Sequence, residues 1–213
     1  LKGGLRRNSS ILITGAPGTG KTILALQFIY YGAKDHNENG IFITTEENLE
    51  DIRRFANNLG MDLPPLESKG KIFFVEKPIS TLRGGISSVK GLIDAIKKNN
   101  IKRVALDSLI FFEYLYPKFD GNKMEFRRQV LMFMHDLKKA GVTFLSVSER
   151  SVTDFDRLTY DMMDFVFEGI IVLSRLRKGS YFERVLTVVK IRGQDHSLDV
   201  YPVTIGNDGL KIL

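Results

Sequence analysis

The chain has 213 residues, 43% hydrophobic and 26% charged, with a formal net charge of +6. That length and balance suit one α/β domain over residues 1–213 with a buried core, and exclude a disordered chain. The absence of cysteine excludes disulfides and thiolate metal sites and is compatible with the cytoplasm, the expected location. No apolar run approaches the roughly 18 residues that span a bilayer, and no signal peptide opens the chain.

Strand and helix signals alternate from the start. Ile11 to Thr14 is a short apolar, β-branched run stopped by Gly15, which predicts a buried strand. A helix is expected over Thr22 to Tyr31 with Gly32 as its C-terminal cap. Ile41 to Thr45 predicts a second strand, and Asn48 the N-cap of a helix running to about Leu59. Strands over Lys71 to Val75 and Val104 to Leu106 bracket a helix over Val89 to Lys98. A helix over Glu125 to Lys139, closed by Gly141, leads to a fifth strand, Val142 to Val147. This alternation predicts a mostly parallel central sheet with flanking helices. After about residue 165 the rhythm changes. Phe165–Leu173, Phe182–Ile191 and Val200–Ile205 read as strands without helices between them, with turns at Lys178-Gly179-Ser180 and Gly206-Asn207-Asp208-Gly209. That predicts a C-terminal antiparallel β meander on the edge of the same sheet.

Parallel sheets place their ligands at the carboxyl ends of the strands. Gly15-Ala16-Pro17-Gly18-Thr19-Gly20-Lys21-Thr22 fits the Walker A pattern G-x-x-x-x-G-K-S/T, between a strand and a helix. The glycines permit a concavity of main-chain N–H groups that cradles phosphate, and the helix N-terminus adds its positive dipole end. Lys21 supplies a charge to the β- and γ-phosphates, and Thr22 a hydroxyl to Mg²⁺. These residues predict a bound nucleotide with magnesium. No N-K-x-D guanine signature appears, and ATP is the expected nucleotide.

Acidic residues stand at the other strand ends. Asp107 closes an apolar strand and is the candidate Walker B partner of the magnesium. Glu46 and Glu47 follow the second strand and are candidate general bases for an attacking water, Glu46 first and Glu47 assisting. They also suit the first turn of the following helix, where the dipole favours acids. Ser148-Glu149-Arg150 ends the fifth strand and reads either as a phosphate sensor or as a plain turn.

Lys190 and Arg192 share one face of a strand that ends in Gly193-Gln194-Asp195-His196. Two adjacent cations suit a terminal phosphate, since arginine offers paired donors to its oxygens; a solvated strand face is the alternative.

The whole chain resembles the KaiC-like branch of the RecA/RadA ATPase superfamily. The resemblance rests on Gly3-Gly4-Leu5 ahead of Ser9-Ser10, the phosphate loop, Gln27-Phe28, Thr44 to Glu47 and Arg103 to Ser108. Ser148 to Arg150, Val189 to His196 and Tyr201 to Ile205 with Asp208-Gly209 complete it. The resemblance implies a RecA-like P-loop core working as a homo-oligomeric ring, commonly a hexamer, with nucleotide between subunits. By similarity, Glu46 and Glu47 activate water. Lys190 and Arg192 reach the γ-phosphate of the neighbouring subunit, and His196 lies near the nucleotide. Arg6 and Asn8 depart from the family's usual Pro and Gly. Asp164 and Phe165 fall, by rough alignment, where the family's clock protein carries phosphorylated Ser and Thr, which counts against self-phosphorylation.

Superfamily recombinases bind DNA through the loops after the fourth and fifth strands. Here the first loop is aromatic, Phe111 to Tyr116, with one nearby lysine, Lys118. The second carries Asp154, Asp156, Asp161 and Asp164 against Arg150 and Arg157. Acidic loops repel a polyanion, so nucleic acid is not the favoured partner, and the aromatic run reads better as core or subunit interface. Three functions stay open: ATP hydrolysis in a ring that regulates a partner, a DNA-stimulated motor, and a nucleotide-dependent binding protein with negligible turnover.

Overall fold

The computed structural model describes residues 1–76, 87–110, 112, 123–150 and 163–213. Among them lies one nine-stranded sheet, in the order β3-β2-β4-β5-β1-β6-β7-β8-β9. Its strands are β1 Ser10–Gly15, β2 Asn39–Thr44, β3 Ile72–Glu76, β4 Ile101–Asp107 and β5 Thr143–Glu149, then β6 Gly169–Lys178, β7 Tyr181–Ile191, β8 Val200–Gly206 and β9 Gly209–Ile212. The helices are α1 Lys21–Asp35, α2 Leu49–Asn58, α3 Pro64–Ser68, α4 Ser87–Lys98 and α5 Lys123–Lys139.

Strands β1 to β6 pair in parallel throughout, and the ladders from β6 to β9 are antiparallel. The meander is therefore joined to the sheet by a parallel ladder, Ile11 to Gly15 against Gly169 to Leu173.

Successive residues of a strand face opposite sides, and β1 shows it: Ile11 and Ile13 enter the core beneath α1 and α2, while Leu12 enters a second core with residues of α4 and α5. Phe133, Phe144 and Phe167 fill the second core, with Phe112 edge-on to Phe133 at 5.1 Å. Phe112 is thus core, as one of the sequence readings had it. The rest of that aromatic run, and Asp154, Asp156, Arg157 and Asp161, lie outside the described residues.

Two expectations need correction, and two elements were not foreseen. Gly32 does not cap α1; the helix continues to Asp35 with His36 as its cap. A Cβ on Gly32 would lie 2.4 Å from Cδ of Arg103, which crosses the helix to donate to the Phe28 carbonyl and to Glu38. The glycine makes room for an arginine. The strand expected from Phe165 begins at Gly169, because Met163–Phe165 forms a 3₁₀ turn. The Gly206–Gly209 turn is a hairpin loop feeding an unanticipated strand, β9. Helix α3, begun by Pro64 in its first turn, was also not anticipated. No helix among the described residues is long and apolar enough to cross a membrane.

Candidate functional site

Four parallel strands deliver the site. Gly15 pairs with Glu149, Thr44 with Asp107, and Asp107 with Val147, so the ends of β1, β2, β4 and β5 lie side by side. Beyond them opens a cleft of about 540 Å³. Its polar wall includes Lys21, Thr22, Glu46, Glu47, Asp107, Glu149 and Arg184; its apolar wall comes from Leu26, Ile52, Phe55, Leu59 and Ile205.

The phosphate loop is built as its glycines require. Gly18 and Gly20 have φ of 73° and 104°, a region that side chains disfavour. A Cβ on Gly15 would sit 2.0 Å from the Leu173 carbonyl, so the close β1–β6 approach admits no other residue. Thr19 closes the turn by donating to the Ala16 carbonyl at 2.9 Å. Arg175 of β6 donates to the Pro17 carbonyl at 2.8 Å and braces the loop from outside. Gly20 abuts Ile205 and Leu210, and Gln27 of α1 holds the β8–β9 hairpin there by bonding both the amide and carbonyl of Leu210.

Lys21 is 7% exposed, and its ammonium donates to the Ala16 carbonyl at 3.0 Å. Burial lowers its pKa, opposed by the charges of Glu149, Asp107 and Glu46. The Thr22 hydroxyl bonds the Asp107 carboxylate. Burial raises the pKa of Asp107, as do Glu46 and Glu149, while Thr22 and Lys21 oppose.

The two glutamates are held differently. Glu46 accepts a hydrogen bond from the Ser108 hydroxyl at 2.9 Å. Ser108 is anchored in turn, its amide donating to Thr45. Glu47 is fixed through its main chain, which bonds Thr44 in both directions. Its carboxyl pKa is raised, first by burial and then by Asp107, Asp51 and Glu46. Asn48 caps α2, accepting from the Asp51 amide at 2.9 Å, and so aims Ile52 and Phe55 at the cleft.

The donor set has a physical consequence. Four carboxylates outnumber the two cations, Lys21 and Arg184, that line the cleft, and a triphosphate entering such a site would be repelled unless a cation came with it. A hydroxyl backed by a carboxylate, both oxygen donors, is what a hard cation such as Mg²⁺ takes while it keeps most of its water. The residues present therefore fit a magnesium nucleotide.

Lys190, Arg192 and His196 are not part of this cleft. Lys190 pairs with Ile170, which pairs with Leu12. It thus sits three residues of strand below Gly15, about 10 Å at the usual rise, and two strands across. The Lys190 ammonium donates to the Asp164 carbonyl at 2.6 Å and Arg192 to the Phe165 carbonyl at 2.9 Å. The strand expected to carry both ends at Ile191, so Arg192 stands in the turn after it, and the two cations meet instead on neighbouring carbonyls of the 3₁₀ turn, away from this chain's own loop. His196 contacts the Ser197 carbonyl, also away from the cleft. Arg175, Arg184 and Ile205 were not singled out from the sequence. They sit on strands far along the chain, and no spacing rule links them to the loop.

The comparisons with known proteins fit this geometry. The KaiC ATPase family matches residues 1–213. The circadian clock oscillator protein KaiC of Parathermosynechococcus lividus is 33% identical, covering 99% of this chain and 39% of that protein. The one from Prochlorococcus marinus subsp. pastoris is 34% identical, with 99% and 42% covered. The chain thus spans about two fifths of the length of these relatives. The crystal structure of a KaiC-like protein from Pyrococcus horikoshii superposes with a TM-score of 0.83 at 29% identity, covering all of this chain and 92% of that one. The sheet is the RecA-like one expected, and the chain belongs to the KaiC family of ATPases.

Proposed function

We propose that this chain, as a single domain, binds Mg²⁺-ATP in the cleft and hydrolyses it when copies assemble into a ring. Lys190 and Arg192 of one copy then complete the site of the next. The observation that carries this is the separation of the two halves. The cleft holds the cradle, the acids and Lys21, while the cations suited to a γ-phosphate stand at the far rim of the sheet. One chain cannot bring them together, and two can. A hexameric ring is the proposed assembly, in the cytoplasm, with hydrolysis coupled to the conformation of a regulated partner.

The residues divide the work. Main-chain amides of Gly15 to Thr22 and the Lys21 ammonium bind the β- and γ-phosphates and orient them. Thr22, with Asp107 behind it, holds the magnesium, which supplies charge neutralisation on the phosphates. Glu47, whose raised pKa brings it closer to the working pH, takes the proton from the attacking water, so the two glutamates exchange the order expected from the sequence. The water oxygen bonds to the γ-phosphorus, and the bridging bond breaks towards ADP. Glu46, fixed by Ser108, orients that water. Lys190 and Arg192 from the neighbour stabilise the charge that builds on the γ-phosphoryl oxygens. His196 enters the neighbour's site with them.

A phosphate-release assay paired with mass measurement, with and without Mg²⁺-ATP, tests this. Mg²⁺-ATP is expected to favour a multiple of the chain mass and to support turnover. Glu46→Gln with Glu47→Gln should lower turnover by about 100-fold or more while nucleotide binding persists. An unchanged rate in that variant would remove the glutamates from the mechanism. An assembled wild-type protein that binds ATP and releases no phosphate would make it a nucleotide-dependent binding protein instead.

A further inference from the structure

A line of contacts joins the phosphate loop to the cations at the far rim, and nothing in the nucleotide site requires it. Arg150 is the first residue beyond β5, and its amide donates to the Gly15 carbonyl at 3.1 Å. One nitrogen of its guanidinium, Nη2, donates to both carboxylate oxygens of Asp164, at 2.6 and 2.5 Å. Asp164 belongs to the 3₁₀ turn whose carbonyls hold the cations: its own carbonyl accepts from Lys190, and that of Phe165 accepts from Arg192. The backbone is tied as well, because the Arg192 amide donates to the Glu168 carbonyl at 2.8 Å. From Gly15 to Lys190 the line passes through two residues.

The ion pair in the middle is nearly dry: the side chains of Arg150 and Asp164 are 13% and 1% exposed. A buried pair is a poor way to add stability, since apolar side chains of the same volume do as well or better. What it offers is a fixed distance and direction. An arginine nitrogen seated between both oxygens of a buried carboxylate restricts where its partner can lie, and there is little water to take its place. Here it sets the 3₁₀ turn against the end of β5, which carries Glu149 into the cleft. The Asp164 charge also offsets Lys190, whose pKa burial and the Arg192 guanidinium lower.

We propose that Arg150 and Asp164 are positioning residues for catalysis in the adjacent subunit: they hold Lys190 and Arg192 in register with their own chain's phosphate loop. Each site thereby influences the cations offered to the next. This rests on the reading above, in which those cations act across a subunit boundary. Movement of the loop end on filling the cradle passes through Arg150 and Asp164 to the turn. Without the pair, the turn and the loop are free to shift independently, and a neighbour receives cations that are present but misplaced.

Mixed assemblies separate this from a merely structural role. Dopant subunits carry Glu46→Gln and Glu47→Gln, so they bind nucleotide and assemble, and their own turnover, about a hundredth of wild type or less, is measured separately and subtracted. With such dopants in about tenfold excess, each wild-type site is completed mostly by a dopant's cations, and turnover per wild-type site should hold. Adding Asp164→Asn to the dopant should lower it at least about fivefold, though the variant residue is not in the wild-type subunit at all. Asp164→Asn alone should leave affinity for a fluorescent ATP analogue within about threefold and flatten the ATP dependence of turnover towards non-cooperative. If Asp164→Asn does not fold, Arg150→Lys, which keeps the charge but shortens the side chain and loses the planar guanidinium, is the second dopant and should lower turnover to a smaller extent. Dopants carrying Lys190→Ala are the control. If they depress wild-type sites and neither the Asp164 nor the Arg150 dopant does, the positioning role is overturned while the shared site stands. If none depresses them, the shared site itself fails, and this inference with it. Weakened own-site nucleotide affinity without any effect on neighbours would make the pair a local brace of the loop and would also overturn the proposal.

Discussion

The two ends of β1 hold charge in opposite ways. At its carboxyl end, contiguous residues of one glycine-rich loop build the candidate phosphate cradle around a buried Lys21, and the surrounding acids leave it anionic overall without a metal. Level with its amino-terminal half, at the end of β7, two cations stand on backbone carbonyls rather than on carboxylates, and Arg192 is exposed. A guanidinium resting on a neutral carbonyl gives up little to move to a phosphate, whereas one locked to a carboxylate would lose a charge-assisted bond first. In the proposed ring, the first end lacks only its cations, and the second end of another copy supplies them.

The largest effect that would break this contrast comes from the far end. Lys190→Ala with Arg192→Ala should lower turnover by about 1000-fold, the scale set by removing an inserted cation, yet leave nucleotide affinity nearly unchanged. Mixing with the Glu46→Gln, Glu47→Gln protein should restore activity, because the mutant's own cleft is intact and borrows the partner's cations. Turnover that stays absent in the mixture would place the two cations outside the site. At the near end, Lys21→Ala should show the reverse pattern. Loss of a charged hydrogen-bond donor to phosphate costs about 2–3 kcal/mol, or roughly 100-fold in nucleotide affinity, which titration with a fluorescent ATP analogue reads directly. If Lys21→Ala bound as tightly as wild type, the cradle would not be the phosphate site.

The contrast also explains what the sequence makes legible. The phosphate loop can be read from its letters because its chemistry is main-chain geometry set by neighbouring residues. Asp107, Glu46 and Glu47 can be found once strands are drawn, because parallel strands deliver their ends to one rim. Gly32 misleads because a local propensity loses to a distant side chain, Arg103. The start of β6 misleads because the apolar run from Phe165 continues through a turn whose direction is set by Arg150, Lys190 and Arg192. Gln27 carries no chemistry on its own, and its bond to Leu210 spans most of the chain. Arg175 on the Pro17 carbonyl is invisible for the same reason: the two residues meet only through the β1–β6 ladder.

The near end should also trade stability for function. Asp107 and Glu47 both have folded pKa values raised above those of the unfolded chain. A carboxyl of this kind binds its proton more tightly when folded. Its contribution is therefore fully present below the unfolded pKa and is lost as pH rises through the raised folded value. Asp107→Asn removes that liability, so the nucleotide-free protein should melt higher than wild type near neutral pH, with the difference shrinking in acid. The same variant should lose the magnesium dependence of nucleotide binding. A lower melting temperature at neutral pH would mean that the Thr22–Asp107 bond outweighs the burial of the charge.

The smallest effect tests the wall rather than the charges. Asn48 caps α2 through the Asp51 amide, and its side-chain amide also donates to the Asp51 carboxylate at 2.7 Å. Removing such a cap costs about 1 kcal/mol, so Asn48→Ala should lower unfolding stability by that amount in a denaturant titration. The helix it starts brings Ile52 and Phe55 to the cleft and touches neither the phosphate loop nor the far-rim cations directly. Fraying its first turn should therefore weaken nucleotide affinity slightly through the apolar wall, and leave the response to the Lys190 and Arg192 variants as it is in wild type. A large loss of turnover from Asn48→Ala would instead show that Glu46 and Glu47, immediately before the cap, depend on the helix for their placement. The bonds of Glu46 to Ser108 and of Glu47 to Thr44 argue that they do not, since both anchors lie on the strand side of the turn.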